Sequence, residues 1–424
     1  MKFIYKLLSL SLAIACLSGC SAANTEIASS SAATATVTPT TDSTEVPASN
    51  NVFTSAGDGL YVTTDSGIYE LQTVFPDSAN IFYTDANTKE RIFLCANPNC
   101  THADESCPSY IATPSAMFPP MLLRVGDQLL VVFTEATDSS NPHGMLMNMD
   151  GSNRRTVFEL ASNQYMQGGF CTSGNDLYFD LYEINDSGNV TYQLWYVSFE
   201  NGTSEKVMDL GSDSDHYSLC DGANNELCFN HVSSDGISYC MYNPQSKTIS
   251  DPFFVDSSVS GNSMIQDGYL FVLDEQASSV QRIRLSDKEQ ASASFTVKEG
   301  FGAPSMRYLF DGNLMITEAQ TLAADIPTDG SYDMCSYILD FDTRNCTEFT
   351  LQTPYNNRPV YVLTTIGDAC YVATDYKTYT PTSVSEDGTV SNFDYVANIY
   401  AFITKQDYIN SNQNGYSMVK DAFE

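Results

Sequence analysis

The sequence repeats one short phrase seven times, and this repetition constrains the fold more than any other feature. In each copy, Gly, Asp or Asn stands within two residues before a run of apolar or aromatic residues, as in GDGLYV, GNDLYF and GDACYV. The copies are located by one apolar residue near the start of each run, namely Leu60, Leu129, Leu177, Leu227, Leu270, Leu314 and Cys370. The intervals between these residues are 69, 48, 50, 43, 44 and 56. Intervals of about 40 to 50 residues are typical of β-propeller blades, which are small antiparallel sheets stacked around a channel.

A second alternating run, such as YQLWYVSF, follows the phrase in each unit, and turns such as Asp150-Gly151 come next. Asn-Gly and Asp-Gly pairs favour the positive φ angles of tight hairpins. The sequence therefore predicts an all-β protein, a seven-bladed β-propeller over residues 53–424. Six or eight blades, or two separate β-domains, are the alternatives. We expect segment 395–419 to supply the final blade and the segment before Leu60 to close the ring against it.

The N-terminus has the features of a secretory signal. Lys2 and Lys6 precede an apolar stretch that is too short to span a bilayer. The stretch ends in Leu17-Ser18-Gly19-Cys20, which resembles the lipobox of bacterial lipoproteins. This pattern predicts a signal peptide over residues 1–19 and attachment of lipid at Cys20. An ordinary signal peptide with an incidental cysteine is the alternative.

Residues 20–52 are mostly Ser, Thr and Ala, with some Asn and Pro. Such a composition buries too little apolar surface to fold, so we expect a disordered tether between the lipid and the β-domain. The chain has 19 Lys and Arg against 52 Asp and Glu, and its net charge of −33 excludes nucleic acid as a partner. The predicted location is the outer face of the membrane of a Gram-positive bacterium.

A loop over residues 94–110 gathers Cys95, Cys100, His102 and Cys107 with the spacing C-x4-C-x-H-x4-C. Three thiolates and one imidazole could complete the tetrahedral shell of a structural zinc ion. Cysteines outside the cytoplasm also tend to oxidise, so a disulfide staple is the first interpretation of the loop and a metal site the second. A reduced loop without a metal is the third. The loop lies in the longest interval between repeats, and we expect an insertion between the first two blades.

The remaining cysteines permit further disulfides. Cys171 and Cys220 stand at nearly matching positions of consecutive repeats, which could bring them together near the channel. Cys228 and Cys240 flank a turn and could pair across a hairpin. Ten cysteines follow Cys20, so every one of them could pair, but this parity does not decide the state of the 94–110 loop.

Two segments carry a family resemblance. IFYTDANTKERIFLCANPNCTHADESCPSYI (81–111) and IYAFITKQDYINSNQNGYSMV (399–419) resemble a group of poorly characterised lipoproteins from clostridial gut bacteria. Pro108 and Ser109 depart from the Ala that usually follows the last cysteine of that group. The resemblance implies a lipid-anchored extracellular β-propeller and implies no particular activity.

The sequence shows no nucleophile elbow, zinc-protease motif, P-loop or dinucleotide-binding motif. Asp213, Asp215 and His216 lie close together in GSDSDHYS, which we interpret as a solvated loop between blades. The favoured interpretation of the chain is a monomeric, non-enzymatic module that binds a small molecule, glycan or protein. The alternative is a hydrolase or lyase that acts on a glycan or peptide through carboxylates at the channel mouth. A ring of Asp or Glu with raised pKa values would favour this alternative.

Overall fold

The computed structural model describes residues 53–55, 59–75, 78–113, 119–256, 262–320, 333–379, 382–384, 390–392 and 395–422. They belong to one compact part of the chain, Asn51–Glu424, called the β-domain below. The predicted signal peptide, the lipidation site Cys20 and the tether lie outside the described residues.

The described strands form seven consecutive antiparallel units, preceded by β1 (Thr54–Ser55). Unit 1 contains β2 (Tyr61–Thr63), β3 (Gly67–Phe75), β4 (Ser78–Asp85), β5 (Arg91–Phe93) and β6 (Tyr110–Ala112). Unit 2 contains β7 (Met121–Val125), β8 (Gln128–Phe133), β9 (His143–Asn148) and β10 (Arg155–Glu159). Unit 3 contains β11 (Gln164–Ser173), β12 (Asp176–Ile184), β13 (Val190–Ser198) and β14 (Thr203–Ser212). Unit 4 contains β15 (Asp215–Ala223), β16 (Glu226–Ser233), β17 (Gly236–Asn243), β18 (Thr248–Ile249) and β19 (Phe254–Asp256).

The C-terminal half continues the same pattern. Unit 5 contains β20 (Ser263–Gln266), β21 (Tyr269–Asp274), β22 (Ser279–Arg284) and β23 (Gln290–Ser294). Unit 6 contains β24 (Phe301–Tyr308), β25 (Leu314–Gln320), β26 (Met334–Asp340) and β27 (Asn345–Phe349). Unit 7 contains β28 (Val362–Ile366), β29 (Ala369–Tyr379), β32 (Tyr395–Thr404) and β33 (Ser417–Met418). A hairpin of β30 (Thr382–Val384) and β31 (Val390–Asn392) lies between β29 and β32 in the chain. Helix α1 (Lys405–Ile409) and a 3-10 turn (Gln413–Gly415) precede β33.

The repeated phrase lies at the start of the second strand in units 2 to 7, as expected for a run of apolar residues buried on both faces. In β12, for example, Leu177 and Phe179 pack against unit 2. Tyr178 points to the other face and packs against unit 4, because side chains alternate along a strand. Unit 1 differs, since Leu60 precedes its first strand and the equivalent second strand begins at Gly67.

Seven hydrophobic clusters of described residues hold the units together, and six of them lie between consecutive units. The seventh joins the two ends of the series, because Ile68 of unit 1 packs with Tyr371, Tyr400 and Phe402 of unit 7. The described residues therefore form an all-β propeller, as the sequence predicted. The count of seven blades stays a prediction, and these interfaces between the described units support it.

A buried ion pair reinforces the junction between units 7 and 1. The Arg91 guanidinium donates through Nε and Nη2 to Glu70 Oε2, at 3.0 and 2.8 Å. Its Nη1 donates to Asp421 Oδ1 at 3.0 Å, and the Tyr400 hydroxyl donates to Glu70 Oε1 at 2.6 Å. Arg91 is 1% exposed, and its guanidinium lies 3.8 Å above the centre of the Phe82 ring. Residues from both ends of the β-domain thus share one buried carboxylate.

The two ends of the chain behave differently from each other. Segment 395–419 supplies β32 and β33 of unit 7, as predicted. The described residues 53–55 ahead of Leu60 do not join that unit, because Thr54 and Ser55 pair with Thr172 and Cys171 of β11. The buried ring of Phe53 packs edge-on against Tyr178, at 5.4 Å between centroids, and its N–H donates to Asn224 O. The expectation that this segment closes the ring is therefore wrong.

Units 3 and 4 are joined into one ten-stranded sheet. The joint is the pairing of β14 with β15, where Gly211 lies opposite His216 and Ser212 opposite Asp215. Gly211 has a φ of +113°, and a Cβ there would lie 2.2 Å from Asp215 O. The glycine is required because the two strands approach too closely for a side chain.

Among the described residues, no helix has both the length and the apolar character needed to cross a membrane.

Candidate metal centre and ligand cavity

The loop with the four candidate ligands interrupts the outer edge of unit 1. Strands β5 and β6 both pair with β4, β5 along Phe82–Thr84 and β6 along Ser78–Asn80. They act as two halves of one outer strand, and residues 94–109 leave and rejoin the sheet between them. The loop therefore belongs to the first unit, whereas the sequence suggested an insertion between the first two.

The structure brings Cys95, Cys100, His102 and Cys107 together. One ligand atom from each lies within 4.8 Å of the others, and His102 Nδ1 lies 3.3 Å from Cys107 Sγ. The three cysteines are free thiols, whereas disulfide sulfurs lie about 2.05 Å apart. Three sulfurs and one ring nitrogen at this separation could hold a metal such as zinc in a closed tetrahedral shell.

Residues of unit 1 hold the cluster in place. The His102 ring stacks on Phe93 of β5, with 4.1 Å between centroids and 8° between planes. The Asn80 side-chain amide donates to His102 O at 3.1 Å and to Ser109 Oγ at 3.0 Å. His102 has a φ of +56°, a left-handed conformation that is uncommon outside glycine. These contacts hold the imidazole in place and stabilise a backbone conformation of His102 that the isolated chain would disfavour.

The cysteines of the cluster differ in acidity. Burial acts to raise the pKa of Cys107, but hydrogen bonds to Ser109 and His102 outweigh it and lower the pKa to about 6. Ser109 Oγ lies 3.1 Å from the sulfur. Burial raises the pKa of Cys95 to about 11. Cys107 is therefore a thiolate at neutral pH, which is the form that binds metal.

A turn of unit 2 braces the loop from outside. The Arg154 guanidinium donates to Tyr110 O at 2.6 Å and also to Pro108 O. Gly151 has a φ of +79°, and a Cβ there would lie 2.5 Å from Pro108 O. The cluster is thus positioned by unit 1 and clamped by unit 2, which the spacing of its ligands could not reveal.

The other predicted disulfides are not present. Cys228 lies opposite Met241 and Cys240 opposite Phe229, so the two sulfurs point to opposite faces of the sheet. Cys171 is a buried free thiol and forms no bridge to Cys220. Burial raises the pKa of Cys171 and Cys228 well above the usual value and that of Cys240 to about 12. These thiols stay protonated and serve as small core residues.

GSDSDHYS forms the hairpin between units 3 and 4. The His216 ring stacks on Tyr192 at 3.8 Å between centroids, and its Nδ1 lies 2.9 Å from Asp213 O. Asp215 Oδ1 lies 2.7 Å from His231 Nε2. In the described part of the chain, the Cys95–Cys107 loop gathers three or more potential metal ligands and this hairpin does not.

Asp180 is a buried carboxylate whose pKa is raised. Burial raises it to about 7, partly opposed by hydrogen bonds from backbone N–H groups, the largest from Leu219. Its Oδ2 accepts from Leu219 N at 3.1 Å, while its Oδ1 has no partner in the structure. Asp180 is 1% exposed and lies between units 3 and 4, away from solvent. This raised pKa therefore belongs to a carboxylate that a substrate cannot reach.

A cavity of about 440 Å³ lies where units 7, 1 and 2 meet. Its walls come from turns and strand ends of these units, namely Thr63, Thr64, Asp65, Ala86, Lys89, Arg124, Thr365, Ile366, Gly367 and Ala369. A hydrogen bond of 2.9 Å between the hydroxyls of Thr63 and Thr364 links units 1 and 7 beside it. The volume falls within the range of about 300 to 1,000 Å³ that small-molecule sites occupy.

Comparison with solved structures finds likenesses of fold at low sequence identity. The β-propeller domain of the Trilobed protease from Pyrococcus furiosus is 13% identical, with 72% of this chain and 99% of that chain covered and a TM-score of 0.36. Oligogalacturonate lyase from Vibrio parahaemolyticus is 10% identical, with 82% and 91% covered and a TM-score of 0.39. The tricorn protease is 10% identical, with 81% and 35% covered and a TM-score of 0.31, so the chain spans about a third of its length. These likenesses concern the fold alone.

The fold and the cluster together define a β-propeller protein with a Cys₃His cluster in its first unit. No protein-family model and no curated protein matches the chain. The resemblance to clostridial lipoproteins therefore stays a prediction.

Proposed function

We propose that the protein is a ligand-binding β-propeller, attached by lipid at Cys20 to the outer face of a bacterial membrane. The observation that carries the binding role is the cavity where units 7, 1 and 2 meet. Propellers commonly bind ligands where loops of neighbouring blades converge at one end of the channel. The partner would be a small molecule, or the end of a glycan or protein chain.

The alternative of a hydrolase or lyase has less support from the described residues. Such chemistry would use a carboxylate with a raised pKa at a position that substrate can reach. Asp180 has the raised pKa, but it is sealed between units 3 and 4. Asp65 lines the cavity, but it is a single exposed carboxylate without a carboxylate partner among the lining residues.

A variant that fills the cavity tests the binding role. Thr365 lines the cavity, and Thr365→Trp would occupy much of its volume. Thr203→Trp is a matched control, because Thr203 is exposed on β14 and lies outside the cavity. The assay is thermal unfolding of the full chain against a panel of sugars, organic acids, nucleotides and short peptides. A ligand present at 100 times its Kd stabilises the folded state by about 2.7 kcal/mol.

We expect at least one compound to stabilise the native chain and Thr203→Trp but not Thr365→Trp. Equal stabilisation of both variants would contradict the assignment of the site to the cavity. A panel without any stabilising compound would contradict a small-molecule role.

The lipid anchor is tested separately by Cys20→Ala. Two acyl chains hold a protein stably on a membrane, whereas an unmodified N-terminus does not. We expect the native chain in the membrane fraction and Cys20→Ala in the soluble or secreted fraction. A variant that stays with the membrane would contradict the anchor.

We further propose that the Cys₃His cluster holds a structural zinc ion. Its four protein ligands would fill the shell and leave no open position, as in structural rather than catalytic sites. We expect about one zinc ion per purified chain by elemental analysis, and its loss in Cys107→Ser. Cys346→Ser is the control, because Cys346 is exposed on β27 and lies outside the cluster. Metal content that is equal in both variants would refute the site.

A further inference from the structure

The lining of the cavity between units 7, 1 and 2 has more cations than carboxylates, unlike the chain as a whole. Its lining includes two cations, Lys89 and Arg124, and one carboxylate, Asp65. The chain as a whole carries a net charge of −33 and only 19 Lys and Arg among its residues. Two cations from different units therefore meet in one cavity although cations are scarce.

The Lys89 ammonium lacks a carboxylate partner within 4.0 Å among the described ion pairs. It donates to Ala86 O and lies 4.0 Å above the centre of the Phe402 ring. The nearby Asp85 carboxylate accepts from the N–H groups of Asn87 and Thr88, both at 2.8 Å, and only partly offsets the effect of burial on Lys89. Burial lowers the pKa of Lys89, as expected for a cation that is not fully compensated.

The Arg124 guanidinium reaches the same cavity from unit 2. Its Nε donates to Gly126 O at 2.9 Å, and its Nη1 lies 3.5 Å from Thr63 O of unit 1. Among the described ion pairs, its carboxylate partner is Asp127. Asp127 Oδ1 lies 3.4 Å from Arg124 Nη2, and the Asp127 side chain is 99% exposed. A guanidinium has five N–H donors, so donors remain for a ligand. The hydroxyls of Thr63 and Thr365 add neutral donors to the same wall.

We infer that this cavity binds the anionic group of a small ligand, a carboxylate or a phosphate, between Lys89 and Arg124. The inference rests on the proposed binding function and names the chemical class of its ligand. Lys89 supplies a point charge, and Arg124 supplies the planar pair of N–H groups that matches two oxygens of one anion. Asp65 at the rim favours a ligand that also presents a hydroxyl or amine donor.

Unit 5 offers a matched control for Lys89. Lys288 stands in the equivalent turn, with a φ of 63° against 60° for Lys89. Its ammonium donates to Leu285 O and lies 4.4 Å above the Phe253 ring. The two lysines thus make the same turn contacts, and only Lys89 lines the cavity. Lys288→Gln therefore reports any loss that comes from the turn alone.

The test is calorimetric titration of the full chain in detergent, at about 0.15 M salt, where exposed charges are screened beyond about 8 Å. The probes are D-glucuronate, inorganic phosphate and, as the neutral analogue of the first, D-glucose. Charge-assisted hydrogen bonds contribute enough that we expect at least about a tenfold loss of anion affinity in Lys89→Gln and in Arg124→Gln. We expect Lys288→Gln to bind like the native chain. Glucuronate binding without phosphate binding identifies a carboxylate ligand, and the reverse identifies a phosphate ligand.

Several outcomes would overturn the inference. Glucose that binds as tightly as glucuronate would remove the role of charge while leaving the proposed binding function intact. Anion affinity that persists in Lys89→Gln and Arg124→Gln, or in the cavity-filling Thr365→Trp, would place the anion elsewhere. The absence of binding by both anions would also refute it. Should Lys89→Gln unfold, Arg124→Gln decides alone, because the Arg124 side chain is 44% exposed and leaves the core unchanged.

Discussion

Removal of the Arg91 charge should weaken the junction between units 7 and 1 more than the loss of any surface ion pair. Arg91→Met keeps an apolar chain against Phe82 but leaves the Glu70 carboxylate, which is 4% exposed, without its cation. Breaking a buried pair from one side costs about 3 to 5 kcal/mol, because the remaining charge stays buried and uncompensated. The expected entropy of unfolding is about 2.1 cal/mol/K per residue, or about 0.8 kcal/mol/K for the roughly 370 residues of the β-domain. The midpoint of thermal unfolding should therefore fall by about 4 to 6 °C.

The assay is thermal unfolding followed by near-ultraviolet circular dichroism, with two controls. Lys206→Met removes an exposed pair with Asp209, and such pairs contribute about 0 to 1 kcal/mol. The double variant Arg91→Met/Glu70→Leu removes both charges and should recover part of the loss. A single variant that melts with the native chain would refute the reasoning. A double variant that is less stable than Arg91→Met would refute it as well.

Three further predictions follow from the described contacts. Between pH values of about 4 and 7 the folded chain keeps a proton on Asp180 that the unfolded chain releases, so the free energy of unfolding should fall as pH rises. Asp180→Asn should reduce this fall, which is measured as denaturation midpoints from pH 4 to 8. An equal slope in both proteins would contradict the raised pKa. Phe53→Ala should cost about 3 to 5 kcal/mol in urea unfolding, because its ring is buried beside Tyr178; an unchanged midpoint would show that β1 does not seal units 3 and 4. Arg154→Ala should speed hydrogen exchange in residues 94–109 while leaving the metal content unchanged, and loss of metal would make Arg154 essential to the cluster itself.

Much of the fold could be predicted because a short local pattern marks the second strand in units 2 to 7. A turn residue followed by several apolar residues predicts here a strand that is buried on both faces. The same rule misplaced unit 1. Leu60 precedes the first strand of that unit, and the second strand begins at Gly67 with a similar glycine and apolar run. Local pattern could not distinguish the two, because a glycine and then an apolar run occur in both places.

The candidate sites divide in the same way. Cys95 to Cys107 lie close in sequence, so their meeting was predictable, but the brace by Arg154 of unit 2 was not. Disulfide predictions failed because sequence spacing does not give strand register, and register decides which face Cys228 and Cys240 occupy. The cavity could not be predicted, since Lys89 and Arg124 come together with Thr365 only when the last unit packs against the first. The scarcity of cations was the one available signal.

The ten-stranded sheet of units 3 and 4 has a mechanical consequence. Tension applied to the chain ahead of Phe53 reaches β1 first and then passes into β11 through their paired backbones. Since β14 and β15 continue the same sheet, backbone hydrogen bonds share this load between two units. Units 2, 5 and 6 form separate sheets and meet their neighbours mainly through side chains. We expect a propeller under this tension to open at one of those interfaces. Units 3 and 4, which receive the load through β1, should resist it most.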